Sequence, residues 1–358
     1  MPRYYHGGGI HQAAAELQRP VAELLDFSAS INPLGMPTTV RAAAEAALDA
    51  AIHYPEIHAE SLVAALASHH HLDPRHFLPG NGSTPLFALF ARTLRPRRAL
   101  VVRPAFSEYH RALELAGTEI DVFDLTPEKN FALDAAQLLQ QITPATDLLL
   151  LANPGNPSGV KIETTTILTL AHALREQALV AVDEAFIDFC PDASILQAIA
   201  THPNLYIFRS MTKFYAIPGL RVGYLAGPMN GIARLALESE AWALSTVAIA
   251  AAKAALAATA YCTESLSLIP QLRTQLEGGL RDLGLYVFPA TANYLLLRLT
   301  EPCADELVIA LRQEGILLRS CSNFPPLDAR YLRVAVRSAT ENDRLLAALA
   351  IFLRKHER

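Results

Sequence analysis

The chain of 358 residues carries 30 lysines and arginines against 35 aspartates and glutamates, a formal net charge of −5, which excludes a polyanion binder as the first reading. Its 51% apolar content excludes disordered and fibrous classes, and its length suggests about two domains. Only five of the cations are lysines (Lys129, Lys161, Lys213, Lys253, Lys355), so chemistry that needs an amine has few candidates, whereas arginines, which grip carboxylates and phosphates with two prongs, are plentiful.

In chain order, Met1-Pro2-Arg3-Tyr4-Tyr5-His6-Gly7 lacks the apolar run of a signal peptide, and Cys190, Cys262, Cys303 and Cys321 show no Cys-x-x-Cys spacing. A reducing cytoplasm is the expected setting. Residues 1–34, with Gly7-Gly8-Gly9 and Asn32-Pro33-Leu34-Gly35, read as an arm that packs onto another unit. From about residue 80 to 226, short β-rich runs alternate with helical stretches, the pattern of a parallel sheet covered on both faces. The predicted strands are Ala99–Val102, Glu119–Phe123, Leu148–Leu151, Leu179–Val182, Leu205–Phe208 and Arg221–Leu225, with helices over Ser107–Ala116, Asp134–Gln140 and Thr164–Gln177. These define a large α/β domain over 35–243. The alanine-rich Ala241–Ala260, interrupted by Ser245, Thr246, Lys253 and Thr259, reads as a packed helix and not a membrane span. Residues 244–358 form a smaller α+β domain: a long helical run to Leu283, strands Tyr294–Leu299, Ile316–Arg319 and Leu332–Val336, and helices over Ala304–Glu314 and from Thr340.

Five patterns could carry chemistry. Gly80-Asn81-Gly82-Ser83-Thr84-Pro85 precedes a helical run, where free N–H groups and a positive dipole end suit a phosphate, although a plain turn and cap look the same. Asn153-Pro154-Gly155-Asn156-Pro157-Ser158-Gly159 follows a strand, where open α/β sheets bind ligands. Val182-Asp183-Glu184 ends a strand in two acids, one of which could hold a cationic heterocycle, although strands also end in Asp to make turns. Lys213, between hydroxyls and followed by Gly219-Leu220-Arg221-Val222-Gly223, joins an imine-forming amine to an anion-binding residue. Last come Arg319, Arg330, Arg333 and Arg337, of which 333 and 337 share one strand face. The adjacent His69, His70 and His71 diverge by about 100° each on a helix, so they read as a solvated helix end and not a metal site.

Taken together, Gly80-Asn81-Gly82-Ser83, the Asn153–Gly159 run, Asp183-Glu184-Ala185-Phe186, and Ser210-Met211-Thr212-Lys213 with Gly219-Leu220-Arg221-Val222-Gly223 resemble the pyridoxal-phosphate enzymes of the aspartate aminotransferase fold. The likeness spans essentially the whole chain and is greatest to the histidinol-phosphate aminotransferase branch. Within it, His6-Gly7-Gly8, Leu25–Gly35, Thr212–Gly219 and Arg333–Ser338 are similar to the threonine-phosphate decarboxylases of cobalamin biosynthesis. The resemblance implies fold type I, a large domain with a mostly parallel seven-stranded sheet, and pyridoxal 5′-phosphate as cofactor. It implies decarboxylation of L-threonine O-3-phosphate to (R)-1-amino-2-propanol O-2-phosphate in a homodimer with shared active sites. Lys213 would bond the cofactor, Asp183 would keep its ring nitrogen protonated, and Asn156 would bind its phenolate oxygen. Ser83, Thr84, Ser210 and Arg221 would hold its phosphate with Tyr54 of the neighbouring subunit, and Tyr109 would stack on the ring. Arg333 would take the substrate carboxylate, with Arg319 and His6 on its phosphate and Asn32 near the same mouth. No metal, nucleic acid or membrane is implied.

Two residues depart from the aminotransferases of this branch: Phe186 stands where they usually have Tyr, and Arg337 where they have Gly. Arg337 is read either as a second cation for the substrate or as half of a structural ion pair. Transamination of histidinol phosphate with 2-oxoglutarate stays open. So does decarboxylation of phosphoserine, which lacks one methyl group worth only ~1–3 kcal/mol of discrimination. A catalytically silent binding protein is a third reading, against which Lys213, Asp183 and Asn156 together argue.

Overall fold

Runs such as Leu148-Leu149-Leu150-Leu151 and Leu179-Val180-Ala181-Val182 are apolar at every position, and such strands are stable only with both faces covered. The structure, a computed structural model, describes residues 6–301 and 303–356. The first five residues of the expected arm lie outside the described residues.

The strands in chain order are β1 (Leu25–Asp26), β2 (Phe77–Gly80), β3 (Arg98–Arg103), β4 (Glu119–Asp124), β5 (Leu148–Ala152), β6 (Leu179–Asp183), β7 (Leu205–Ser210), β8 (Gly223–Ala226), β9 (Tyr286–Val287), β10 (Tyr294–Arg298), β11 (Ile316–Leu317), β12 (Arg319–Ser320) and β13 (Tyr331–Ala335). The large sheet has seven strands in the order β2-β8-β7-β6-β5-β3-β4, and only β8 runs against the others. Alternate side chains feed two cores. Leu149, Leu151, Val180, Val182 and Ile207 enter one, and Leu148, Leu150, Ala181, Tyr206 and Phe208 the other. A four-stranded antiparallel sheet, β12-β13-β10-β9, carries a separate core with the helices Ala304–Gln313 and Ala339–His356.

Two elements differ from the sequence reading. The β2 strand escapes it because Pro79 and Gly80 weaken the pattern, which an edge strand paired on one side tolerates. The alanine-rich run is two helices, Thr246–Leu256 and Thr259–Asp282, meeting at 71°. Ala248, Ile249, Ala251, Ala252 and Ala255 of the first pack into the same core as the large sheet. The second helix crosses between the domains, with Ile269 in one core and Leu272, Leu276 and Leu280 in the other. Among the described residues no single helix is long and apolar enough to cross a membrane. The arm packs on the small domain: β1 pairs in parallel with β11, and Leu25 and Phe27 join that core.

Candidate active site

The parallel strands all point their C-terminal ends at one place, and the small domain and the arm close over it, leaving a cavity of about 270 Å³. Its floor is built by β6 and β7. Asp183, the last residue of β6, is buried, accepting from the Ala185 N–H on Oδ1 (3.0 Å) and from the Tyr109 hydroxyl on Oδ2. Burial raises its carboxyl above the usual range, against the pull of Tyr109, Lys213 and Ala185. Strand alternation turns the neighbouring Glu184 to the opposite side, where it forms a buried ion pair with Arg209 (2.9 Å). Three residues past β7, Lys213 enters the cavity, its Nζ donating to Ser210 Oγ (2.8 Å) and standing 5.4 Å from the Phe186 ring centre. Burial, opposed by Asp183 and assisted by Arg221 and Arg333, brings this amine down to about 8.

One wall is a cradle for an anion. The helix Ser83–Leu94 has Gly82 as its N-cap and no capping side chain, leaving its first N–H groups to face the cavity beside Ser83 and Thr84. Gly82 sits at φ +82, and a Cβ there would lie 2.5 Å from Arg221 Nη2, so only glycine lets the guanidinium close on this turn. Arg221 itself adopts a left-handed φ of 53, a conformation uncommon for a side chain of its size, which aims it across the cradle. Ser210 and Thr212 complete the wall.

The roof is cationic. Arg319 on β12 and Arg333 on β13 are directly opposite in the antiparallel register, and both are buried. Like charges so placed repel, and the roof is accordingly a setting that favours an anion. Arg333 donates to Asn156 Oδ1 (2.6 Å) and to the Ser28 carbonyl (2.7 Å), lies over the Tyr294 ring, and has no partner for Nε among the described residues. Arg319 donates to Asn323 Oδ1 (2.8 Å) and lies over Phe324. At the mouth, His6 pairs with Glu108 (3.0 Å). Its segment lies so close to the arm's turn that a Cβ on Gly7 would come within 2.1 Å of the Ser28 carbonyl oxygen.

The structure thus brings together Lys213, Asp183, Asn156, Ser83, Thr84, Ser210, Arg221, His6, Arg319 and Arg333 around one cavity. Four expected residues stand elsewhere. Tyr109 lies behind Asp183, and Phe106, three residues earlier in the same motif, presents its ring to the cavity. The Asn32 amide is buried, bonded to the Phe214 carbonyl and Ser265 Oγ, so it braces the Lys213 loop and does not face the mouth. Ser30 faces the cavity instead, with a buried hydroxyl that has no partner among the described residues. Its signal in the sequence is the second hydroxyl of Ser28-Ala29-Ser30, two residues before Asn32-Pro33.

Arg337 is turned away by Glu341, which accepts from its Nε and Nη2 at 3.0 and 2.6 Å, while Nη1 reaches the Asp26 carbonyl. Ser338 and Glu341 form a capping box on the helix Ala339–His356, and Arg337 tethers it. The structural ion pair is therefore the reading the geometry favours. Arg337→Gln is expected to lower stability by about 0.5–1 kcal/mol and to change kcat/KM by less than about twofold; a fall of fifty-fold in a steady-state assay would put this arginine back on the substrate. Tyr54 is 82% exposed and meets the Trp242 ring at 5.0 Å, tilted by 34°, outside this chain's own cavity. Among the described residues no group of three His, Cys, Asp or Glu side chains is placed to hold a metal ion, and the His70 imidazole instead meets the Tyr224 hydroxyl at 2.8 Å.

The aminotransferase class I and II family model matches residues 22–349. Threonine-phosphate decarboxylase of Salmonella typhimurium is 40% identical over 348 residues, 96% of this chain and 95% of that protein. Among solved structures, L-threonine-O-3-phosphate decarboxylase from Porphyromonas gingivalis superposes with a TM-score of 0.83 at 28% identity, covering 92% of this chain and all of that one. The histidinol-phosphate aminotransferase from Clostridium acetobutylicum gives 0.87 at 28% identity, covering 93% and 100%. The backbone alone does not separate the two activities.

Proposed function

The chain belongs to the aminotransferase class I and II family, and within it we propose a pyridoxal-phosphate-dependent carboxy-lyase that converts L-threonine O-3-phosphate to (R)-1-amino-2-propanol O-2-phosphate, the precursor of the cobalamin nucleotide loop. The observation that carries the substrate is the opposed, buried pair Arg319 and Arg333 lining the same cavity as Lys213, a geometry that suits one small molecule carrying both a carboxylate and a phosphate. The 40% identity to a decarboxylase over nearly the whole chain, with Phe186 where aminotransferases of this branch usually have Tyr, favours loss of CO₂ over transamination.

The residues fit the cofactor. The uncapped helix start, Ser83, Thr84, Ser210 and Arg221 would hold its phosphate; Asp183 would meet the ring nitrogen, Asn156 the phenolate oxygen, Phe106 the ring face, and Lys213 the aldehyde carbon. When bound, the pyridoxal ring accepts the electron pair left at Cα after a bond there breaks. The protein's part is to choose that bond. Arg333 fixes the substrate carboxylate and Arg319, His6 and Ser30 receive the phosphate, so the molecule is held at two ends and its rotation about Cα is set. Lys213 Nζ, beside Ser210 Oγ, then stands ready to deliver the proton that replaces CO₂ at Cα.

With its pKa near 8, roughly one Lys213 amine in ten is neutral at pH 7, against about three in ten thousand at the ordinary value. Since the neutral form attacks, capture of added pyridoxal phosphate by the apo-protein is expected to accelerate from pH 7 to 9 and then level off. A rate that kept climbing to pH 10 by stopped-flow absorbance would contradict a depressed amine.

The neighbour's Tyr54 is proposed to complete the cofactor phosphate site in a cytoplasmic homodimer, which accounts for a largely exposed tyrosine beside the exposed Ile52 and Ile57. Sedimentation as a single chain at assay concentration would end that part. The activity is tested by incubating loaded protein with L-threonine phosphate, L-serine phosphate, or histidinol phosphate plus 2-oxoglutarate. CO₂ and aminopropanol phosphate are expected from the first; glutamate from the last with no CO₂ from either phosphoamino acid would overturn the proposal.

A further inference from the structure

Tyr109 stands on the first turn of the helix Ser107–Leu115, fully buried, its ring centre 4.9 Å from that of Phe87 and 5.8 Å from that of Phe106. A buried phenol needs a hydrogen-bond partner, and a backbone carbonyl would satisfy it. This one instead donates to Asp183 Oδ2, on a carboxylate that faces the cavity and the Lys213 amine. The other oxygen, Oδ1, is already held by the Ala185 N–H at 3.0 Å. Two donors from two different elements, a helix and the turn after β6, therefore fix the plane of the carboxylate and draw charge from it.

We propose that Tyr109 is a positioning residue that acts through Asp183, its hydroxyl setting the orientation and basicity of the carboxylate toward a cationic ring nitrogen in the cavity. This rests on the cofactor reading above. A carboxylate that accepts from Tyr109 is the weaker base, so a proton shared with a ring nitrogen stays on nitrogen and the ring keeps the positive charge that makes it an electron acceptor. Without the hydroxyl, that proton shifts toward Asp183. With less positive charge on a ring held there, Lys213 Nζ joined to it would keep its proton to higher pH. Burial also keeps the phenol protonated far above its ordinary range, so Tyr109 remains a donor at every pH where the protein works.

The test compares Tyr109→Phe, Asp183→Asn and the double variant, each loaded with pyridoxal phosphate. Tyr109→Phe keeps the ring that Phe87 and Phe106 contact; Tyr109→Met offers the same comparison should that chain fail to fold. Loss of the hydroxyl is expected to raise the pH midpoint of the cofactor's visible band by about half a unit or more, and to lower kcat about tenfold with KM changed less than about twofold. In the Asp183→Asn background the same substitution should leave the midpoint where it was. An unchanged midpoint and kcat in Tyr109→Phe, or an equal shift in both backgrounds, overturns the inference while the wild-type band upholds the cofactor. A wild type with no visible band overturns both.

Discussion

Lys213→Ala is expected to lose turnover of L-threonine phosphate by at least ~1,000-fold, about 4 kcal/mol of barrier, while the chain stays folded. Among the described residues Lys213 is the only lysine that lines the cavity, so no other amine can take over its attack or its proton transfer. The loss is chemical and not structural. Its Nζ makes one hydrogen bond, to Ser210 Oγ, and its depressed pKa shows that the charged form is poorly accommodated where it sits. Lys213→Arg should fail as completely, because a guanidinium keeps its proton and cannot act as the nucleophile. The checks are CO₂ release, the cofactor's visible absorbance and far-ultraviolet circular dichroism. Turnover above a tenth of wild type with native dichroism would remove Lys213 from the mechanism and the cofactor with it.

Arg333→Leu is expected to cut kcat/KM for threonine phosphate by roughly 100- to 1,000-fold, the ~3–4 kcal/mol of a buried, charge-assisted contact. Both prongs already point inward, one at Asn156 and one at the Ser28 carbonyl, and Nε has no partner. Burial pulls the guanidinium down from its ordinary range, yet it stays charged and so retains a strong demand for an anion. Arg333→Lys keeps the charge without the fork and should recover only part of the loss. If Arg333→Leu raised KM less than about threefold with kcat unchanged, the carboxylate would have to be bound elsewhere.

Most of the architecture could be read from the chain because its signals are local. Leu148–Leu151 and Leu179–Val182 announce strands buried on both faces, and Gly82-Ser83-Thr84 announces a helix start, which Arg221 from a distant loop turns into a cradle. What the sequence leaves open depends on contacts between elements. Phe106 and Tyr109 lie three apart in one motif, and nothing local says which ring meets the cavity and which meets Asp183. Ser30 and Asn32 have the same ambiguity; it is resolved only by Ser265, 233 positions away from Asn32 on another helix. Arg333 and Arg337 share a strand face by number, but β13 ends at Ala335, and beyond it the backbone turns Arg337 toward Glu341.

The helix Thr259–Asp282 has Pro270 within it, between Ile269 of one core and Leu272 of the other. Proline removes one backbone hydrogen bond at that turn and weakens the rod where it passes from domain to domain. The two roof arginines belong to the far side of that joint, and the lysine to the near side. The helix that spans both cores therefore sets the spacing between the two cations and the amine, so the width of the cavity is fixed by a segment that lines none of it.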